Sequence, residues 1–267
     1  MIHRPVALTI AGSDSSAGAG LQADLKAFTS AGVYGLSVAT AIVAERPGLV
    51  ISSHVLPPSS IRDQLDSLLD AYPIGAIKTG LLPEVATIEA IQERLRGTPA
   101  PLVIDPVAVA SAGVRLANPA ARSTLIALIR ERGFLVTPNR AEAESFLGVA
   151  IEEGEAARSA VRALRDFFGC AVLLKGGHFG GEESIDWLAD GSDEITEFRR
   201  SRLPGAGVHG TGCAYSAAIT ARLAMGCPLV DAIDGARSYL HAAMAQAWVW
   251  RSDAGGAIKA LAPRLES

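Results

Sequence analysis

Short runs of Val, Ile and Leu recur along the chain, and between them lie stretches long enough for a helix. The runs at 6–10, 38–43, 74–78, 102–105, 134–136 and 171–174 are apolar with little alternation. Strands covered on both faces read this way, as in a mainly parallel sheet. Between them apolar residues fall at helical spacing. Leu21, Leu25 and Phe28 stand at i, i+4 and i+7, and Ile61, Leu65, Leu68, Leu69 and Tyr72 form a fuller stripe behind a start at Ser60 and Asp63 that is like a capping box. Ala121, Leu125, Leu128 and Ile129 make another stripe, as do Val161, Leu164 and Phe168, and then Leu229, Ile233, Ala236, Leu240 and Met244. Each predicts a helix packed on the sheet. Alternation of strand and helix over nearly the whole chain predicts an α/β fold.

One stretch departs from this rhythm. Residues 184–188 and 194–198 are strand-like and joined through Asp190, Gly191 and Ser192, which predicts a β-hairpin at a sheet edge. No repeat, low-complexity tract or linker interrupts the pattern, so residues 1–267 are expected to form a single domain.

Composition narrows the function classes. With 267 residues and 49% hydrophobic content, the chain can bury a core without metals or disulfides. A net charge of −4 argues against an extended nucleic-acid surface and against binding anionic membranes. No apolar run approaches the roughly 20 residues that span a bilayer. The three cysteines, Cys170, Cys213 and Cys227, form no CxxC pair, and the first residues do not read as a secretory signal, so a reducing cytoplasm is expected.

Any phosphate chemistry must therefore be local, and glycine-rich turns supply places for it. Gly205 to Cys213 reads GAGVHGTGC, followed by an Ala-rich helical stretch at 214–225 with Tyr215, Ile219 and Leu223 on one face. At such a turn Gly210 and Gly212 let backbone N–H groups crowd round an anion at a helix N-terminus; a tight loop requiring positive φ would look the same. Cys213 opens the helix, where a thiol pKa is expected to fall, although a free cysteine is also a common small core residue.

Further upstream, Gly18-Ala19-Gly20-Leu21-Gln22-Ala23 fits a GxGxxA dinucleotide fingerprint with Glu45 as its later acid, but Gly12 to Ala17 intervenes after the strand where the fingerprint has a tight turn. Asn139 and Glu142, in TPNRAE, read either as a helix cap with its N3 partner or as groups near a hydrated Mg²⁺. Lys175 ends a strand, where open α/β sheets place ligands, and could neutralise nucleotide phosphates. His178 reads equally as a turn residue, and His3, His54 and His241 show no ligand spacing.

Taken together, AGSDSSAGAGLQADLK at 11–26, IKTGLL at 77–82, VIDPV at 103–107, TPNRAEAE at 137–144, LLKGGH at 173–178 and HGTGC at 209–213 resemble the hydroxymethylpyrimidine/phosphomethylpyrimidine kinases of thiamine biosynthesis, in the ribokinase-like superfamily. The matches run in order over about four-fifths of the chain. The resemblance implies a three-layer sandwich whose central, mainly parallel sheet is flanked by helices, with ATP and substrate meeting at the carboxyl ends of the strands, and a homodimer. It implies that the backbone of Gly210, Thr211, Gly212 and Cys213 forms an anion hole, with Cys213 as base or positioning group. Lys175 and Thr211 would contact ATP, and Asn139 and Glu142 would organise Mg²⁺, through water, and the phosphates. Asp24 would bind the polar edge of the pyrimidine, and Gly12, Glu45, Leu81 and Val107 would surround the ring. Lys78 and Asp105 match the motifs without an assigned role.

Several positions depart from the family. Glu45 stands where a glutamine is usual; a glutamine both donates and accepts, whereas an ionised glutamate only accepts. That favours a ring edge with two donors or a protonated nitrogen, unless burial keeps Glu45 protonated. Leu81 replaces a methionine, Ala17 a loop glycine and Ser111 a common lysine, and the tail lacks the usual Gly-Pro ending. The expected activity is ATP-dependent phosphorylation of the hydroxymethyl group of 4-amino-5-hydroxymethyl-2-methylpyrimidine and of its monophosphate. A pyridoxal or pyridoxine kinase, or a kinase for a modified pyrimidine, is the alternative; a dinucleotide-dependent oxidoreductase and a non-catalytic ligand-binding module stand further off.

Overall fold

The computed structural model describes residues 4–110, 113–192, 194–203, 207–251 and 257–262. His3, Ser111, Gly205, Ala206 and the tail after residue 262 lie outside the described residues, as does the side chain of His178. The first half of the chain forms β1 (Val6–Asp14), α1 (Gly20–Ser30), β2 (Tyr34–Arg46), β3 (Leu49–Val55), α2 (Pro58–Leu69), β4 (Ile74–Thr79), α3 (Val85–Leu95) and β5 (Leu102–Ile104). There follow α4 (Ala121–Arg132), β6 (Gly133–Val136), α5 (Arg140–Leu147), α6 (Glu155–Phe168), β7 (Ala171–Leu174), β8 (Glu183–Ala189) and β9 (Thr196–Ser201). The chain closes with α7 (Thr211–Ala224), α8 (Leu229–Ala245), β10 (Trp248–Arg251) and β11 (Ala257–Ala260).

Among the described residues, nine strands form one sheet in the order β3-β2-β1-β4-β5-β6-β7-β8-β9. From β2 to β7 all neighbours run parallel. Both edges are antiparallel: β3 pairs with β2, and the predicted hairpin, β8 with β9, closes the other side. Alternation along each strand sorts side chains to two cores. Val6, Leu8 and Ile10 of β1 face α2, α3, α4 and α6 through Ile61, Leu65, Ile88, Ile91, Leu128 and Leu164. The intervening positions carry Ala7, Ala76, Val103, Leu135 and Leu173 to the opposite face, against Phe28, Tyr215, Ile219 and Ile233 of α1, α7 and α8. Residues such as Ile88 and Leu128 are fully buried, and each contributes about 1.5–3 kcal/mol relative to exposure.

Some boundaries differ from the sequence pattern. Helix α2 starts at Pro58 with Pro57 as N-cap, so Ser60 is already inside it. Tyr72 lies past its end, stacked on Tyr34. Helix α7 begins three residues earlier than the Ala-rich stretch suggests, and burial covers Ala214 through Ala221 continuously rather than one stripe. Such a helix belongs inside a molecule. Helix α3, strand β3 and the small β10–β11 ribbon are additional to the predicted elements.

The strand order also fixes where ligands go. From β1 the chain moves to β2 on one side and later returns to β4 on the other. Connections thus diverge from β1, and such a reversal opens a crevice beyond the carboxyl ends of the strands.

Candidate active site

A cavity of about 1500 Å³ occupies that crevice. It exceeds the roughly 300–1,000 Å³ of a single small-molecule pocket, which leaves room for two substrates. Its wall is assembled strand by strand: Gly12 from β1, Glu45 from β2, Lys78 and Leu81 around the end of β4, and Asp105 and Val107 after β5. Asn139 and Glu142 after β6, Lys175 after β7, and Gly210 to Cys213 at the start of α7 complete it.

At one end, α7 presents its N-terminus. Gly210 is its N-cap, with φ +77° and no side-chain cap, so first-turn N–H groups are available to a ligand. The turn admits only glycine there: a Cβ at Gly210 would lie 1.7 Å from the carbonyl oxygen of Gly18. Next to it, Lys175 Nζ donates to Asp105 Oδ1 at 2.7 Å. A Cβ at Gly212 would sit 3.4 Å from that ammonium, so the bare backbone brings Lys175 against the turn. Asp105 also accepts from Thr137 and Ser216, at 3.2 Å each. Burial opposes the charge of Asp105, but Lys175 and Lys78 hold its carboxyl below the usual range.

Asn139 and Glu142 form a capping box on α5. Asn139 Oδ1 accepts from the Glu142 N–H at 2.9 Å, and Glu142 Oε2 accepts from the Asn139 N–H at 2.8 Å. One Glu142 oxygen is used in this box, and Glu142 lines the same cavity as Lys175 and Asp105. Burial, with Asp105 adding to it and Lys175 opposing, raises Glu142 to about 7. A carboxyl group in the cavity wall suits a hydrated Mg²⁺, which keeps several waters and needs few protein ligands.

The other end is built round Glu45. Gly12, Val43, Leu81 and Val107 provide apolar wall there, and a Cβ at Gly12 would come within 3.1 Å of Leu81 Cδ2. The Glu45 backbone is pinned in both directions by Ser15, whose Oγ accepts from the Glu45 N–H at 3.0 Å and donates to its carbonyl at 2.9 Å. Asp14, Glu45 and His209 bring one carboxylate or imidazole atom each within 4.8 Å of one another. Asp14 is committed: its oxygens accept from Ser16 N–H and Oγ, Gly18 N–H and Ala19 N–H, and Oδ2 lies 3.3 Å from His209 Nε2. Burial works against the charge on Asp14, but His209 and these hydrogen bonds prevail and lower its carboxyl to about 2.

Comparison with known proteins places this geometry in a family. The family model described as Phosphomethylpyrimidine kinase matches residues 14–257. The chain belongs to this family. It is a phosphotransferase of the ribokinase-like fold. The chain is 43% identical over 244 residues to the hydroxymethylpyrimidine/phosphomethylpyrimidine kinase of Rhizobium meliloti, covering 91% of each chain. Among solved structures, phosphomethylpyrimidine kinase from Clostridium difficile is 34% identical, with a TM-score of 0.78 over 90% of this chain and 99% of that one. Pyridoxal kinase from Staphylococcus aureus in complex with AMP-PCP and pyridoxal is 30% identical, with a TM-score of 0.86 over 98% of this chain and 94% of that one.

Of the residues singled out in the sequence, Gly12, Glu45, Leu81, Val107, Asn139, Glu142, Lys175, Gly210, Thr211, Gly212 and Cys213 all line this kinase's cavity. Two expectations need correction. Asp24 does not face the ring: it is fully buried on α1, with its oxygens 2.9 and 2.7 Å from Lys78 Nζ and 2.6 Å from Thr9 Oγ1. Its role is to hold Lys78. Burial opposes that ammonium's charge, but the Asp24 carboxylate, and Asp105 beyond it, keep it well above the usual range.

Cys213 is the second correction. Its thiol is pushed up to about 11, because burial outweighs the help of Lys78, and the Asp105 and Asp24 carboxylates add to the burial. A helix N-terminus lowers a thiol only where the thiolate is solvated or paired. The fingerprint glycines likewise serve packing. Gly18 lies against Gly210, and a Cβ at Gly20 would meet the Gly12 carbonyl oxygen at 2.3 Å.

Sequence reading passed over Asp14 and His209, and left Lys78 and Asp105 without roles. The signal for the last two was present, since each is a charged residue in or directly after an apolar strand. Asp14 and His209 meet only because the β1–α1 loop and the turn before α7 pack together, which no local pattern records.

Proposed function

We propose that the protein phosphorylates the hydroxymethyl group of 4-amino-5-hydroxymethyl-2-methylpyrimidine with ATP, and then its monophosphate. One observation carries this reading: a single cavity joins a helix N-terminus without a side-chain cap, flanked by Lys175, to an apolar wall bearing Glu45. Family membership supplies the substrate class. Thr211 and Lys175 would contact the nucleotide phosphates. Glu142, with Asn139, would hold Mg²⁺ through water, and the ion would neutralise phosphate charge.

Phosphoryl transfer requires positioning and charge neutralisation more than covalent help. The turn from Gly210 to Cys213 receives the charge on the transferring group through preorganised N–H groups. Lys175 adds a full positive charge beside it. Gly12, Leu81 and Val107 hold the ring so that its hydroxymethyl oxygen lies in line. Cys213 lies in the first turn of α7, in the wall of the same cavity. As a protonated thiol it positions the hydroxymethyl group rather than acting as a ready-made base; in a loose transition state the hydroxyl proton leaves late and passes to an oxygen of the phosphoryl group being transferred.

A pyridoxal or pyridoxine kinase is the second reading, favoured by the TM-score of 0.86 to a pyridoxal kinase. Measuring ADP release with the pyrimidine, its monophosphate, pyridoxal and pyridoxine separates the readings. Preference for the pyrimidines by kcat/KM supports the proposal, preference for pyridoxal or pyridoxine transfers it to the second reading, and activity on none refutes both. We assign the activity to a single-domain homodimer in the cytoplasm.

A further inference from the structure

The ring end of the cavity poses a hydrogen-bonding mismatch. Under the function proposed above, on which this inference rests, the ring brings an exocyclic amine beside an unprotonated ring nitrogen. That edge offers one donor and one acceptor. Glu45 is the polar side chain from β2 in that wall, and its backbone is fixed from both sides by Ser15. An ionised carboxylate can take the amine hydrogen but has nothing to give the ring nitrogen. Two acceptors would then face each other in a confined space, with the Asp14 carboxylate also close by.

One added proton removes the conflict wherever it resides. On the ring nitrogen it makes an aminopyrimidinium whose two parallel donors match the carboxylate fork, a charge-assisted bidentate pair. On Glu45 it makes a neutral acid that donates to the ring nitrogen and accepts from the amine, the pattern a glutamine would give. We propose that Glu45 makes ring binding proton-linked: the kinase takes up a proton from solvent on binding its aminopyrimidine and holds it between Glu45 and the ring.

The surroundings favour retaining that proton. The charged and titratable groups beside Glu45 are Asp14 at the end of β1, His209 before α7 and Arg46 next along β2, and Arg115 lines the same cavity. Burial raises the Glu45 carboxyl, Asp14 raises it further, and His209 opposes them. Asp14 remains charged through the neutral range because His209 and its loop hydrogen bonds hold its carboxyl at about 2. It therefore repels a second negative charge at Glu45.

Calorimetric titration of the pyrimidine alone into the wild-type enzyme at pH 8, in buffers of different ionisation enthalpy, reads proton uptake without turnover. Uptake of about one proton per ring is expected, with affinity falling up to tenfold per pH unit above neutrality. In Glu45→Gln the uptake should drop to near zero and the pH dependence of kcat/KM for the ring should be shallower by up to tenfold per unit. No uptake by the wild type, or equal uptake by both forms, overturns the inference while leaving the kinase assignment intact. The wild-type measurement stands even if the variant folds poorly. Failure of the wild type to bind or phosphorylate the pyrimidine overturns the proposed function and this inference with it.

Discussion

The assignment of Asp24 to Lys78 rather than to the ring can be tested through stability. Both side chains have 0% exposure, and Lys78 Nζ approaches both Asp24 oxygens at 2.7–2.9 Å. Asp24→Ala leaves an ammonium buried and removes the acceptor for Thr9 Oγ1. Breaking a buried pair from one side costs about 3–5 kcal/mol, because the remaining charge has lost its partner. At about 2–4 °C per kcal/mol for a chain of this size, the melting temperature should fall by roughly 6–20 °C. Replacing both charges with apolar residues, as in Asp24→Leu with Lys78→Met, should recover much of that loss, since burying the pair is itself costly. Urea unfolding of the two single variants and the double variant closes the cycle. A strongly non-additive result, with the double variant more stable than either single, is expected. The reasoning fails if Asp24→Asn keeps wild-type stability and instead raises KM for the ring more than tenfold. That pattern would return Asp24 to the ring edge.

Three further outcomes follow from the geometry. Cys213, at about 11, should be alkylated by iodoacetamide at pH 8 about a hundredfold more slowly than a free thiol near 9, as read by peptide mass spectrometry; rapid labelling would restore the thiolate. Asp14 is lowered from 3.8 to about 2 on folding, so about 2 kcal/mol of stability should be present above pH 4 and disappear as pH falls through 2. Asp14→Asn should lose stability at pH 7 and show a flatter acid limb in denaturant titrations; an unchanged limb would refute it. Gly210→Ala, with φ +77° and the Gly18 carbonyl in the way, should lower kcat more than a hundredfold while the melting temperature falls by only a few degrees, because the strain is local; a near-normal kcat would refute the turn's role.

Most of the sheet was legible because its central strands are buried on both faces and leave unbroken apolar runs. Strand β3 was not: LVISSHV is mostly exposed along an edge, so no face of it is consistently apolar. It exists because β2 continues to Arg46 and the chain turns at Pro47 and Gly48 to pair Leu49 and Val50 with Arg46 and Glu45. The glycine turn, Lys175 and the wall residues were likewise readable, since each sits at the end of a strand or the start of a helix. Asp24 shows the limit. It lies on the same stripe as Leu21, Leu25 and Phe28, so its position marks it as inward-facing. Only the tertiary arrangement shows that its partner is Lys78 on a strand 54 residues away and not a ligand. The thiol of Cys213 is a similar case, because the helix terminus is visible in sequence and the Asp105 and Asp24 carboxylates that act on the thiol are not.

The pairing of Lys175 with Asp105 also bears on how a turnover ends. In the proposed reaction, a nucleotide phosphate arriving at α7 would meet an ammonium that already has a carboxylate 2.7 Å away, and would share this cation instead of claiming it. When the phosphoryl group has moved, Asp105 is still in place to take back the hydrogen bond. An internal competitor of this kind would weaken the grip on the spent nucleotide and favour its departure.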